Sequence, residues 1–101
     1  MLSIRLKVPT PTTTPRFNDL IFILNPNSQG GATGKNWSAT YEEIKKFLPR
    51  QHRIVFTKKA DDATKFTRKL LGQGYSNIVA VGGDGTINEV ANGFFYMKVK
   101  N

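Results

Sequence analysis

Apolar positions come in blocks of two kinds along this chain. Leu20-Ile21-Phe22-Ile23-Leu24 is an unbroken apolar run of strand length, the pattern of a strand buried on both faces and hence of a parallel sheet. After the turn-forming cluster Asn25-Pro26-Asn27-Ser28-Gln29-Gly30-Gly31, the residues Trp37, Tyr41, Ile44 and Leu48 recur at helical spacing. Glu42, Glu43, Lys45 and Lys46 fall outside that stripe, and Pro49 stops the helix. Arg53 to Thr57 predicts a second strand, ending at Lys58 and Lys59. A second helix starts near Asp61 and Asp62, acids suited to a helix N-terminus. It buries Ala63, Phe66, Leu70 and Leu71 and ends at Gly72 or Gly74. The apolar run Ile78 to Val81 predicts a third strand, which runs into Gly82-Gly83-Asp84-Gly85-Thr86. From Thr86 onward, Ile87, Val90, Ala91 and Phe94 mark a third amphipathic helix.

Strand and helix thus alternate three times, which predicts a parallel α/β arrangement with right-handed crossovers. In such a sheet Asn25 to Gly31, Thr57 to Lys59 and Gly82 to Thr86 fall on one edge, where these folds bind ligands. Residues 17–101 make up this domain, and residues 1–16 stand apart from it. Leu2, Ile4, Leu6 and Val8 alternate with polar residues as in a short strand, and Pro9 to Pro15 reads as an extended linker. The segment has no acids and carries Arg5, Lys7 and Arg16, faintly like a targeting peptide. Its few arginines and weak helical amphipathicity favour a plain leader, disordered or added as an edge strand.

The glycine turn carries the chemistry. Glycines without Cβ let a bulky group approach the main chain, and free N–H groups at a helix start favour an anion, above all a phosphate. The bland alternative is a tight turn in which glycine serves geometry alone; the three glycines around one Asp favour the phosphate. Asp84 beside polyphosphate would be repulsive unless a cation stood between them or it bound a ribose hydroxyl. A hydrated Mg²⁺ shared with the phosphates meets that condition, while the alternative is an Asp that supports its own turn. Thr86 and Glu89, three apart, read as a capping box, with Glu89 a structural cap. Gly34-Lys35 does not complete a P-loop, because Gln29 occupies the required first glycine and Asn36 the Ser or Thr position.

Composition narrows the classes further. The 101 residues suffice for one domain with a modest core. With no cysteine and one histidine, disulfides and thiolate metal sites are excluded and a zinc site is disfavoured. No apolar run approaches membrane-spanning length; the expected setting is cytoplasmic, with peripheral contact to an anionic membrane and organelle targeting left open as alternatives. The net charge of +8 favours polyanionic partners. Nucleic acid is not expected among them, since base-stacking aromatics at regular spacing are lacking. Lys45, Lys46, Arg50 and Arg53 read as a solvated face, but Lys58 and Lys59 lie at the ligand edge. His52, at the opposite end of its strand, reads as a surface histidine.

With both glycine turns located, the sequence resembles the diacylglycerol kinase catalytic-domain family, which includes bacterial lipid kinases and sphingoid-base kinases. The resemblance rests on Ile23 to Gly31, with its Asn-Pro-x-Ser turn, and on Val79 to Gly93, with Gly-Gly-Asp-Gly-Thr followed by Asn88-Glu89-Val90 and Asn92-Gly93. It implies a three-layer, phosphofructokinase-like parallel α/β sandwich and ATP- and Mg²⁺-dependent transfer of the γ-phosphate to a lipid hydroxyl, of diacylglycerol or a sphingoid base. By position Asn25, Ser28, Thr57, Gly82, Gly83, Asp84, Gly85 and Thr86 would line the nucleotide site, with Asp84 near the metal. Gln29 stands where many members have a small residue, and Gly30 and Gly31 would share its role. Family members continue into a second, mainly β domain that supplies the general base. No catalytic base is therefore expected in these residues, and the chain is expected to be the amino-terminal part of a kinase, inactive alone. Two alternatives remain. An NAD-kinase-like fragment shares the central glycine motif but not the Asn25-Pro26-Asn27-Ser28 turn, and a non-catalytic anion-binding module would use the charge alone.

Overall fold

In the computed structural model, residues 2–7 and 19–99 are described, with side chains from 19 to 95. The elements in order are β1 (Leu2–Lys7), β2 (Leu20–Leu24), α1 (Ala32–Ile44), β3 (His52–Phe56), α2 (Asp62–Gly72), β4 (Asn77–Gly82) and α3 (Asp84–Val99). Short 3-10 turns over Ser28–Gly31 and Lys45–Phe47 flank α1. The expected strand position Val8, the linker from Pro9 to Pro15, and Arg16 lie outside the described residues.

One sheet has the order β1-β4-β2-β3. β2 runs parallel to both β3 and β4, with Ile23 opposite Val55 on one side and Ala80 on the other. β1 lies antiparallel on the outer edge of β4, Leu2 opposite Gly82 and Lys7 opposite Asn77. The central place of β2 explains its unbroken apolar run. Ile21, Ile23 and Leu24 are fully buried because helices cover both faces of the sheet.

The two faces have separate cores. On one, Phe22, Leu24 and Val81 meet Trp37, with Tyr41, Ile44 and Leu48 of the same stripe packed around it. Trp37 is tilted against Phe22 at 5.6 Å between ring centroids and against Tyr41 at 5.9 Å, distances at which aromatic pairs add to simple burial. On the other face, Ile21, Ile23, Ile78 and Ala80 carry Ala63 and Leu70 of α2 and Val90 of α3. Helices on both sides make the molecule a three-layer α/β sandwich. His52 is half-buried: its Nδ1 lies 2.8 Å from the Pro49 carbonyl and its Nε2 2.8 Å from the Tyr41 hydroxyl. It closes the end of the sheet away from the glycine turns.

α2 and α3 approach closely through small residues. A Cβ at Gly93 would stand 2.6 Å from Thr67 Cβ, closer than real Cβ atoms pack. One turn nearer the N-terminus of each helix, this register places Glu89 against Ala63 and Thr64.

The capping box expected between Thr86 and Glu89 is not formed. α3 begins at Asp84, two residues earlier than the spacing predicts, and Thr86 sits inside its first turn. Gly83 takes the capping position, its carbonyl accepting the N–H groups of Thr86 at 3.1 Å and Ile87 at 3.2 Å. The Glu89 carboxylate turns instead to α2, accepting N–H bonds from Asp61 at 3.1 Å and Ala63 at 3.3 Å. A tertiary partner has displaced a local one because the α2 N-terminus offers free N–H groups.

Candidate nucleotide-binding cleft

The β2 connection turns to α1 on one face, whereas those of β3 and β4 turn to helices on the other. Adjacent strands that send their connections to opposite faces leave a crevice at their carboxyl ends. A cleft of about 330 Å³ opens there, with Asn25, Thr57, Lys58, Lys59, Thr86 and Glu89 in its wall. The backbone draws the strand ends together: Asn25 N–H donates to Val81 O at 3.0 Å and Thr57 N–H to Leu24 O at 2.9 Å.

The first wall is the turn after β2. Asn25 Oδ1 accepts the Asn27 N–H at 3.0 Å, and the Asn25 carbonyl accepts the Ser28 hydroxyl at 2.8 Å. Ser28 Oγ also lies 2.8 Å from Thr33 Oγ1, tying the turn to the first turn of α1. Gln29, Gly30 and Gly31 then all have positive φ, of 56°, 65° and 93°. Glycine adopts this conformation freely, whereas an L-residue such as Gln29 bears a cost of about 1–2 kcal/mol. The second wall is the turn after β3. Here Asp62 Oδ2 accepts the N–H groups of Lys58 at 2.9 Å and Lys59 at 3.1 Å. The Lys58 N–H foremost, against the opposing effect of burial, holds the Asp62 carboxyl below the usual carboxylate range.

The third wall is the glycine turn, where neighbouring glycines differ. A Cβ on Gly82 would collide with Thr86 Oγ1, stand 2.9 Å from Thr86 Cβ and 3.1 Å from Ser28 Oγ. Gly82 is therefore demanded by packing inside the protein. A Cβ on Gly83 or Gly85 would meet nothing within 4 Å. Thr86 Oγ1 is buried and has no hydrogen-bond partner among the described residues. A buried hydroxyl without a partner is costly unless something outside the chain supplies one.

The expected residues divide accordingly. Asn25, Thr57 and Thr86 are in the cleft wall, with Ser28 and Gly82 packed beside them. Gly83, Asp84 and Gly85 form the start of α3; Asp84 and Gly85 are exposed and do not line the cleft. Gly30 and Gly31 also lie outside its lining, in the turn before α1. The sequence reading missed Asn27, Ala60 and Ala63 as wall residues, and it gave Glu89 a role within its own helix. Asn27 belongs to the turn-forming cluster Asn25 to Gly31, whereas Ala60 and Ala63 carry no chemical signal. Among the described residues no group of three His, Cys, Asp or Glu is placed to hold a metal ion. None of the described helices is long and apolar enough to cross a membrane.

Comparison with known proteins agrees with the fold. The model of the diacylglycerol kinase catalytic domain matches residues 19–100. The "Putative lipid kinase" of Streptococcus pneumoniae is 37% identical over 71 residues, covering 70% of this chain and 24% of that protein. The "Sphingoid long chain base kinase 4" of Schizosaccharomyces pombe is 30% identical over 78 residues, covering 77% of this chain and 17% of that protein. A solved structure, "A putative diacylglycerol kinase from Bacillus anthracis", superposes with a TM-score of 0.64 at 29% identity, covering 77% of this chain and 28% of that one. The chain thus spans between 17% and 28% of the length of these relatives. The sheet with its glycine turn and the family match across residues 19–100 lead to one assignment: the chain belongs to the diacylglycerol kinase catalytic-domain family.

Proposed function

We propose that this chain is the ATP-binding portion of a lipid kinase, which transfers the γ-phosphate of ATP to a hydroxyl of diacylglycerol or a sphingoid base. The observation that carries the reading is the start of α3. Open space beside Gly83 and Gly85, together with the unpartnered Thr86 hydroxyl, forms a cradle that the protein's own packing does not fill. The amides of Asp84 and Gly85 precede the first intrahelical bond and add the positive end of a helix dipole. Lys58 and Lys59 complete an arrangement suited to a polyphosphate.

Asp84, in the first turn of α3, would hold Mg²⁺ together with the phosphates. One carboxylate is adequate, because Mg²⁺ keeps several waters and takes its remaining oxygens from the nucleotide. The cation would supply charge stabilisation to the phosphoryl group. Asn25, Ser28 and Thr57 shape the wall, Thr86 donates its hydroxyl, and Gly83 and Gly85 admit phosphate to the backbone. The lipid hydroxyl and its general base are assigned outside the segment matched, in the remainder of a longer kinase, so these residues bind and orient without turning over. The relatives bearing lipid- and sphingoid-kinase names support this acceptor class over NAD.

The test is an NMR titration with ATP and Mg²⁺. Amides of Gly82 to Thr86 and of Asn25 to Gly31 should shift together. Shifts confined to distant residues, or none at millimolar nucleotide, would count against the site.

A further inference from the structure

We propose that Glu89 is a positioning residue that fixes Lys58 and Lys59 beside the cleft through the N-terminus of α2; this rests on the nucleotide reading above. Its Oε2 accepts the Asp61 N–H and its Oε1 the Ala63 N–H, while its carbonyl accepts the Thr64 hydroxyl at 2.7 Å. Three of the four residues from Asp61 to Thr64, at the start of α2, are bonded to this one residue. Between them lies Asp62, whose carboxylate holds the Lys58 and Lys59 N–H groups, and whose own N–H donates to the Lys59 carbonyl at 3.3 Å. The chain of contacts therefore runs from α3 to the α2 N-terminus, and from there to the two lysines.

Asp61 supplies an independent sign of constraint. Its φ of 74° is a left-handed conformation in a residue other than glycine, and such conformations persist where surroundings over-determine them. The Glu89 carboxylate is that surrounding group, bonded to the Asp61 N–H itself. Glu89 also belongs to the helix that begins at the glycine turn. Both halves of the anion site, the α3 N-terminus and the lysine turn, are thus referred to one rigid element. A site held this way before ligand arrives loses less ordering entropy on binding.

The test compares the full chain with Glu89→Ala and Glu89→Gln, each also carrying Lys58→Ala and Lys59→Ala. Amide hydrogen exchange is read without nucleotide, and ATP–Mg²⁺ affinity by titration. Glu89→Ala should speed exchange at Lys58 and Lys59 at least tenfold while Ile21 and Ile23 in β2 stay protected. ATP affinity should fall roughly tenfold, the scale of ordering one long side chain. Glu89→Gln, which keeps one acceptor oxygen, should recover part of both. Without the two lysines, Glu89→Ala should cost little further affinity. Unchanged exchange at Lys58 and Lys59 in both Glu89 variants would overturn the proposal. So would an affinity loss that persists in full without the lysines, since Glu89 would then act on the nucleotide directly. Should Glu89→Ala fail to fold, Glu89→Gln carries the same comparison. A wild-type chain that binds no ATP would refute the nucleotide reading alone, and the exchange measurement would still decide the role of Glu89.

Discussion

Adjacent glycines at the end of β4 should respond in opposite ways to the same added methyl group. In Gly82→Ala the new Cβ lands on Thr86, whose Cβ is 2.9 Å away, and on Ser28 Oγ at 3.1 Å. Thr86 is on the first turn of α3 and Ser28 is tied to Asn25 and Thr33, so neither can yield without moving a wall of the cleft. Overpacking of this kind costs about 1–3 kcal/mol. For a domain of this size each kcal/mol lowers Tm by roughly 4–8 °C. In Gly83→Ala the Cβ meets nothing within 4 Å. Reduced freedom of the unfolded chain gains about 0.4–1 kcal/mol. The loss of a favoured glycine at the helix cap offsets that by a similar amount. The net change in stability should lie within about 1 kcal/mol of zero. Nucleotide affinity should nonetheless fall at least about tenfold, or about 1.4 kcal/mol, because the methyl occupies the approach of a phosphate to the Gly83 backbone. Melting followed by circular dichroism gives the first quantity, and titration with ATP and Mg²⁺ the second. A folded Gly83→Ala chain with wild-type ATP affinity would refute the cradle. A Gly82→Ala chain with unchanged Tm would refute the packing argument.

Two further outcomes follow from single carboxylates. Asp84→Asn should abolish the gain in ATP affinity that Mg²⁺ gives the wild-type chain, while leaving Tm unchanged because Asp84 is exposed; a Mg²⁺ response equal to wild type would refute the metal assignment. Asp62 has a folded pKa below its ordinary value, so its contribution is present above the unfolded carboxylate range, near pH 4, and is lost as pH falls through the folded value. The Tm of the wild-type chain should therefore drop more steeply below about pH 4 than that of Asp62→Asn, and parallel acid profiles would refute this.

The fold was legible where a single physical cause acts locally. The run Leu20 to Leu24 has no polar position because both faces are covered, and that alone pointed to a strand of a parallel sheet. The stripe from Trp37 to Leu48 and the glycine turn after β4 were equally plain, and the structure brings all three strand ends to one edge. What escaped were features decided by distant partners. Thr86 and Glu89 have the spacing of a capping box, but the donors that Glu89 satisfies belong to Asp61 and Ala63, 28 and 26 positions earlier. Local spacing cannot register a helix terminus that arrives by tertiary packing. Positive φ at Gln29 and Asp61 was hidden for a related reason. Asp adopts that conformation more readily than most residues other than glycine and Gln does not, and at neither position does the local sequence spacing mark it.

The contact that escaped prediction depends on one that has no polar chemistry at all. Gly93 lies one helical turn beyond Glu89 on α3, and Thr67 one turn beyond Ala63 on α2, so both pairs share one interhelical seam. The missing side chain of Gly93 lets Thr67 pack where a Cβ would stand only 2.6 Å away. That close approach brings the Glu89 carboxylate within reach of the α2 N–H groups. Had the helices been spaced for an alanine at position 93, bonds of 3.1 and 3.3 Å, already at the long end of the range, would be the first to lengthen. Asp61 would then lose the partner that holds its left-handed conformation, and the lysine turn would lose its reference to the glycine turn. The apolar seam and the cleft are therefore one geometric unit. Gly93, which is not among the residues lining the cleft, helps set the distance between the lysine turn and the glycine turn.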